Sequence, residues 1–139
     1  MANKTILIVD DDPDVRLSLH VRLRANNYDV ALAQDGIESI REARRAMPDL
    51  IILDLGLPAG DGFTVLDRLK SNLSLSSIPV IVVSARDVVA NRGRALKAGA
   101  KAFLQKPVDN VRLLSVIQQI LREKDGPAPA VYDLGNRDN

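Results

Sequence analysis

Residues 50–62 read LIILDLGLPAGDG: four branched aliphatic side chains in succession, one carboxylate at Asp54, then a turn rich in glycine and proline. A short, unbroken apolar run bounded by turn residues fits a strand covered on both faces, which is how strands sit in parallel sheets. The acid stands where that strand empties into a loop. Asp54 is thus the residue the rest of the chain is expected to position, charge or read.

The same alternation repeats outward from this run. Residues 5–9 (TILIV) form a short β-branched run closed by Asp10, Asp11 and Asp12. Asp12 followed by Pro13 reads as an N-cap with proline in the first helical turn, and Val15, Leu19 and Leu23 then recur at helical spacing. Residues 29–33 predict a second strand, and 37–47 a second helix with Ile37, Ile40 and Met47 inward. Beyond the central run, 62–72 predict a helix buried through Phe63, Leu66 and Leu69. Residues 79–84 (PVIVVS) predict a fourth strand, 88–98 a fourth helix and 102–104 a short fifth strand. A fifth helix, capped by Asp109 or Asn110, runs to about Lys124 on Leu113, Leu114, Ile117, Ile120 and Leu121. Five strands alternating with five helices predict an α/β fold with a single doubly wound parallel sheet. From 126 onward GPAPAVYDLGNRDN lacks periodicity, so 1–125 reads as one domain and 126–139 as a flexible tail or linker.

Composition narrows the function classes. A length of 139 residues with 46% hydrophobic content suits one domain with a real core. Nineteen basic residues against eighteen acidic ones, with neither sign in a long block, give no pull toward nucleic acid or lipid headgroups. The absence of cysteine removes disulfides and thiolate metal sites and fits a reducing compartment. The first apolar run is cut by three acids and has neither the length of a membrane span nor the shape of a signal peptide, so a cytoplasmic protein is expected. Aromatic content of 3% leaves little material for base stacking.

In open parallel sheets ligands gather beyond the carboxyl ends of the strands, where strand order reverses. Asp10 and Asp11 end the first strand, Asp54 the third, Ser84 and Ala85 the fourth, and Lys106 and Pro107 follow the fifth, so all are expected on one rim. Clustered carboxylates repel: a pair about 4 Å apart is unfavourable by about 4 kcal/mol at an effective dielectric near 20. Lys106 supplies one compensating charge. The oxygen-rich grouping also suits Mg²⁺, which is held by one or two carboxylates plus waters and phosphoryl oxygens. The remaining oxygen of Asp54 is then placed to attack phosphorus, with Lys106 and the metal stabilising the transferring group.

Asp10 and Asp11 after ILIV, Asp54 in ILDLGLP with GDG following, Ser84 and Ala85 after VIVV, and Lys106 and Pro107 after FLQ resemble the receiver domain of bacterial response regulators, over residues 4–123. The resemblance implies a flavodoxin-like strand order of 2-1-3-4-5. It implies Asp54 as the phosphoacceptor, taking a phosphoryl group from a sensor histidine kinase or a phosphotransfer protein. Asp11, Asp54 and the backbone carbonyl of Gly56 would hold Mg²⁺, with Asp10 acting through water. Ser84, Lys106 and Ala85 would bind the phosphoryl group, Phe103 would be the aromatic switch, and Pro107 would follow a cis peptide. Such a protein is a signalling switch and not an enzyme in the usual sense, though it assists its own Mg²⁺-dependent phosphorylation and dephosphorylation. Its fourth helix, fifth strand and fifth helix would change surface to control a partner, a homodimer or an attached output domain; neither nucleic acid nor membrane is contacted directly.

The chain departs from that pattern at Gly56, which removes a side chain over the acceptor and implies open access for water, modulated by Arg86. Gly93 interrupts the fourth helix, and Val108 and Lys101 bear on partner choice. Taken singly, Asp12 is a helix cap, Phe103 a core residue, His20 a helix-surface residue, and Gly60 and Gly62 turn formers. An aspartate-nucleophile phosphatase is the competing enzymatic class, but it wants a second acid where Gly56 stands. A receiver-like docking module without phosphorylation would lack the acceptor or its acidic pair. A flavin or nucleotide binder would need a Gly-rich loop where Asp10 to Pro13 lie.

Overall fold

The structure, a computed structural model, describes residues 3–57 and 62–125. The strands are β1 (Thr5–Val9), β2 (Asp29–Ala33), β3 (Leu50–Asp54), β4 (Val80–Ser84) and β5 (Ala102–Gln105). The helices are α1 (Pro13–Ala25), α2 (Gly36–Ala46), α3 (Gly62–Ser71), α4 (Val88–Lys97) and α5 (Asn110–Asp125). All strand pairs are parallel and the order is β2-β1-β3-β4-β5, the order that the resemblance implies.

Side-chain alternation along the strands divides the core in two. Leu7, Val9, Ile51, Leu53, Val80, Val82 and Phe103 face α2, α3 and α4; Ile6, Ile8, Leu50, Ile52, Ile81, Val83 and Leu104 face α1 and α5. Every residue of β3 and β4 is buried, as two covered faces require. In register, Val9 lies beside Leu53, so one residue further on the carboxylates of Asp10 and Asp54 end neighbouring strands.

The helices start where their caps dictate. The Asp12 side chain accepts from the Asp14 N–H at 2.8 Å, and Asp109 accepts from Val111. Asp35 caps α2 by accepting from the Glu38 N–H, and Glu38 reaches back past the cap to accept from the Gln34 N–H, both at 2.8 Å.

Two expectations for α2 need correction. Ile37 is 69% exposed and Met47 is 52% exposed. The helix meets the sheet through Gly36, Ser39 and Ala43, small residues whose row lies one position away from Ile37. That row lets α2 come close to α3, since a Cβ on Gly36 would lie 3.1 Å from Val65 Cγ2. Ile40 is half-buried against the core, as expected. Met47 is the C-cap, with a left-handed φ of 43° that takes it off the helical face.

Gly62 is also more than a turn former. A Cβ there would sit 2.4 Å from Leu55 Cα and 2.6 Å from the Asp54 carbonyl oxygen, so glycine is required by close approach of α3 to the end of β3. Gly93 does not break α4, which runs on through it. The turn at 58–61, with Gly60, and the expected tail at 126–139 lie outside the described residues. Among the described residues no helix is long and apolar enough to cross a membrane.

Candidate functional site

Register alone brings the ends of β1 and β3 together, and β5 adds the cation. Asp10, Asp11 and Asp54 each present a carboxylate oxygen within 4.8 Å of the others. Asp10 and Asp54 are buried, whereas Asp11 is exposed at the rim. Lys106 Nζ donates to Asp10 Oδ2 at 2.7 Å and stands 3.7 Å from Asp54 Oδ2. The Lys106–Pro107 peptide is cis, and the Lys106 N–H donates to the Ser84 carbonyl at 2.9 Å, tying the lysine's backbone to the end of β4.

Each carboxylate is oriented locally. Asp10 Oδ1 accepts from the Asp12 N–H at 2.9 Å, so both Asp10 oxygens are engaged. Asp54 Oδ1 accepts from the Gly56 N–H at 3.1 Å, which folds the loop back over the strand end. Burial pushes the Asp54 carboxyl up from its ordinary value; the Gly56 N–H and Lys106 oppose that, while Asp10 and Asp11 add to it. Burial pulls the Lys106 ammonium down, but the Asp10 hydrogen bond and the surrounding carboxylates outweigh it and hold the group above its usual range.

Ser84 is fully buried, and its Oγ accepts from the Arg86 N–H at 3.0 Å. It follows Val83, which pairs in register with Asp54. By strand alternation Ser84 points to the same face as Phe103, two residues along the β4–β5 ladder, where Val82 is paired with Phe103. The Phe103 ring is buried in the core on the α4 side. Ala85 lies exposed just past β4 and lines, with Lys106 and Pro107, a cleft of about 530 Å³ between α1 and the start of α5. His20 lies on α1 away from the cluster, partly exposed.

One residue escaped the sequence reading. Arg16 on α1 donates from Nη1 to the Asp10 carbonyl at 2.7 Å, bracing the end of β1 from the helix that follows it. Its place four residues beyond the Asp12 cap was a usable signal, since one helical turn brings that side chain back over the strand end.

The donor set tests well for a hard divalent cation. Three clustered carboxylates, one of them exposed, and no nitrogen or sulfur donor among them match the oxygen chemistry of Mg²⁺ and not that of zinc or copper. With a buried carboxylate 3.7 Å from a lysine ammonium, the same geometry suits phosphoryl transfer.

Comparison with known proteins converges on one family. The sequence family described as "Response regulator receiver domain" matches residues 6–118. Response regulator PleD of Caulobacter vibrioides is 41% identical over 120 residues, which are 86% of this chain and 26% of PleD. Transcriptional regulatory protein PrrA of Mycobacterium tuberculosis is 39% identical over 123 residues, 88% of this chain and 52% of PrrA. The chain thus spans between about a quarter and a half of these curated relatives. Among solved structures, the receiver domain of sensor histidine kinase PA1611 from Pseudomonas aeruginosa superposes with a TM-score of 0.79 at 30% identity, covering 86% of this chain and 98% of that one; it carries a magnesium ion in its active-site cleft.

Proposed function

The chain belongs to the response regulator receiver domain family, and on that premise we propose that it is a switch set by transfer of a phosphoryl group to Asp54. The observation that carries this reading is the meeting of Asp10, Asp11 and Asp54 with Lys106 at the ends of three strands. Membership of the family supports a phosphoacceptor regulator of two-component signalling.

Asp11, Asp54 and the Gly56 carbonyl would hold Mg²⁺ directly. Asp10 would act through water, in keeping with both of its oxygens being engaged already by Lys106 and the Asp12 N–H. The cation, when bound, supplies charge neutralisation on the phosphoryl oxygens. A carboxylate oxygen of Asp54 bonds to phosphorus as the phosphorus–nitrogen bond of a donor phosphohistidine breaks, and the imidazole departs with the electron pair and takes up a proton. Lys106 pairs with one phosphoryl oxygen, and the Ser84 hydroxyl donates to another. That inward pull on Ser84 is felt by Phe103 on the same face, and α4, β5 and α5 re-form as an altered surface for a partner, a second copy or an attached output domain. The kinase or phosphotransfer protein meets the site in the cytoplasm.

Signal duration belongs to Gly56. A Cβ at that position would lie 3.7 Å from both Asp54 oxygens, so any side chain there starts against the acceptor. Glycine leaves that approach open to water, and Gly56→Asn is expected to lengthen the phosphoryl lifetime. An unchanged lifetime removes Gly56 from the mechanism.

The direct test is intact mass after incubation with acetyl phosphate. One phosphoryl mass is expected in the presence of Mg²⁺, and none with a chelator or in Asp54→Asn. A wild type that never gains it, or a variant that gains it equally, overturns the assignment.

A further inference from the structure

A groove of about 980 Å³ runs between α2 and α3, on the sheet face opposite α1 and α5, and none of the phosphoryl-site residues lines it. Its walls are two helical stripes. From α2 come Ile37, Ile40, Arg41 and Arg44, spaced i, i+3, i+4 and i+7; Thr64, Asp67, Arg68 and Ser71 repeat that spacing on α3. Close packing of Gly36, Ser39 and Ala43 turns Ile37 outward, where it is left 69% exposed on the groove wall with the arginines beside it.

The charge is as lopsided as the hydrophobicity. With Arg45, four arginines face the single Asp67 in a chain whose net charge is only +1. Arg41 and Arg45 pair with Glu38 and Glu42 on their own helix. Arg44 and Arg68 have no acidic partner within ion-pair distance among the described residues. Exposed apolar side chains bordered by arginine forks have the composition of a protein-docking centre. A nucleic-acid backbone would gain nothing from Ile37 and Ile40, whereas a peptide can cover them with an apolar side chain.

We propose that the α2–α3 groove docks an acidic segment of a partner protein, which seats an apolar side chain on Ile37 and Ile40 and places carboxylates on Arg44 and Arg68. The stretch from Ile37 to Arg45 is about 12 Å long at 1.5 Å per residue, room for about two turns of a helical segment. This surface is separate from the phosphoryl site, and its existence does not depend on the role assigned to Asp54.

The test uses the full chain, ¹⁵N-labelled, titrated with a synthetic peptide of alternating glutamate and leucine pairs. Saturable shifts confined to α2 and α3 are expected, with affinity falling about tenfold in Arg44→Glu/Arg68→Glu and falling also in Ile37→Ser. The peptide with glutamine in place of glutamate should bind more weakly. Arg44→Gln/Arg68→Gln serves if charge reversal disturbs the fold, which the amide spectrum away from the groove reports. No binding, shifts scattered elsewhere, or affinity indifferent to these substitutions overturns the proposal. Oligothymidylate binding the groove as tightly as the peptide would make the occupant a nucleic acid, and groove shifts that follow protein concentration alone would make it a second copy; either result also overturns it.

Discussion

Asp54 sits in surroundings that favour its neutral form, yet the proposed attack on phosphorus needs it charged. Burial is the main reason its carboxyl lies above the ordinary range. A carboxyl raised on folding contributes stability that is present below its unfolded value, near 3.8, and is lost as pH rises through the folded value. In the absence of Mg²⁺, Asp54→Asn should therefore unfold at higher urea concentration than wild type at neutral pH, with the difference shrinking toward pH 4. A variant no more stable at neutral pH would show that Lys106 and the Gly56 N–H already compensate fully. Lys106→Met leaves the buried Asp10 Oδ2 without its 2.7 Å partner and should lower stability by about 2 kcal/mol in the same assay. These residues were legible because strand ends in an alternating α/β chain point to one rim. Arg16 was not read: its contact is to a backbone carbonyl, and its only trace in the sequence is its place one helical turn beyond the Asp12 cap.

At the scale of the elements, glycines separate two kinds of constraint that sequence writes with the same letter. Gly93 lies in α4 with nothing within 4 Å of its would-be Cβ, so Gly93→Ala should raise stability by up to about 1 kcal/mol, read as a shift in urea midpoint. Only Ala95 of α4 is buried, and the Arg94 guanidinium stacks 3.8 Å over the Phe63 ring of α3, so this helix is lightly held and sensitive to such a change. Gly62→Ala should act oppositely, costing about 1–3 kcal/mol, because its neighbours are backbone atoms of Asp54 and Leu55, at and just past the end of β3, that cannot move without shifting Asp54. A Gly62→Ala protein of wild-type urea midpoint would refute the close-approach argument. Helix existence and caps could be read from periodicity and from Asp12. The phase of α2 could not, because Gly36, Ser39 and Ala43 are inward for their size and not their hydrophobicity.

For the whole molecule, β/α alternation gave the fold class, but the order β2-β1-β3-β4-β5 came with the family resemblance, since periodicity does not say which strands are neighbours. That order is what matters for function: it sets β3 between β1 and β4, so that Asp54 stands beside Asp10 and next to the strand that ends in Ser84. A cation that binds only the folded site should raise the melting temperature in proportion to its occupancy, so Mg²⁺ is expected to stabilise the wild type and have little effect on Asp11→Asn. Equal stabilisation of both by thermal denaturation would place the cation elsewhere. The central claim is chemical, that one carboxylate in this sheet becomes an acyl phosphate, and borohydride trapping tests it most directly. After treatment with acetyl phosphate and Mg²⁺, reduction should convert Asp54 to homoserine, located at that position by tandem mass spectrometry. Homoserine at Asp10, at Asp11 or at no aspartate, from protein that had gained the phosphoryl mass, would contradict it.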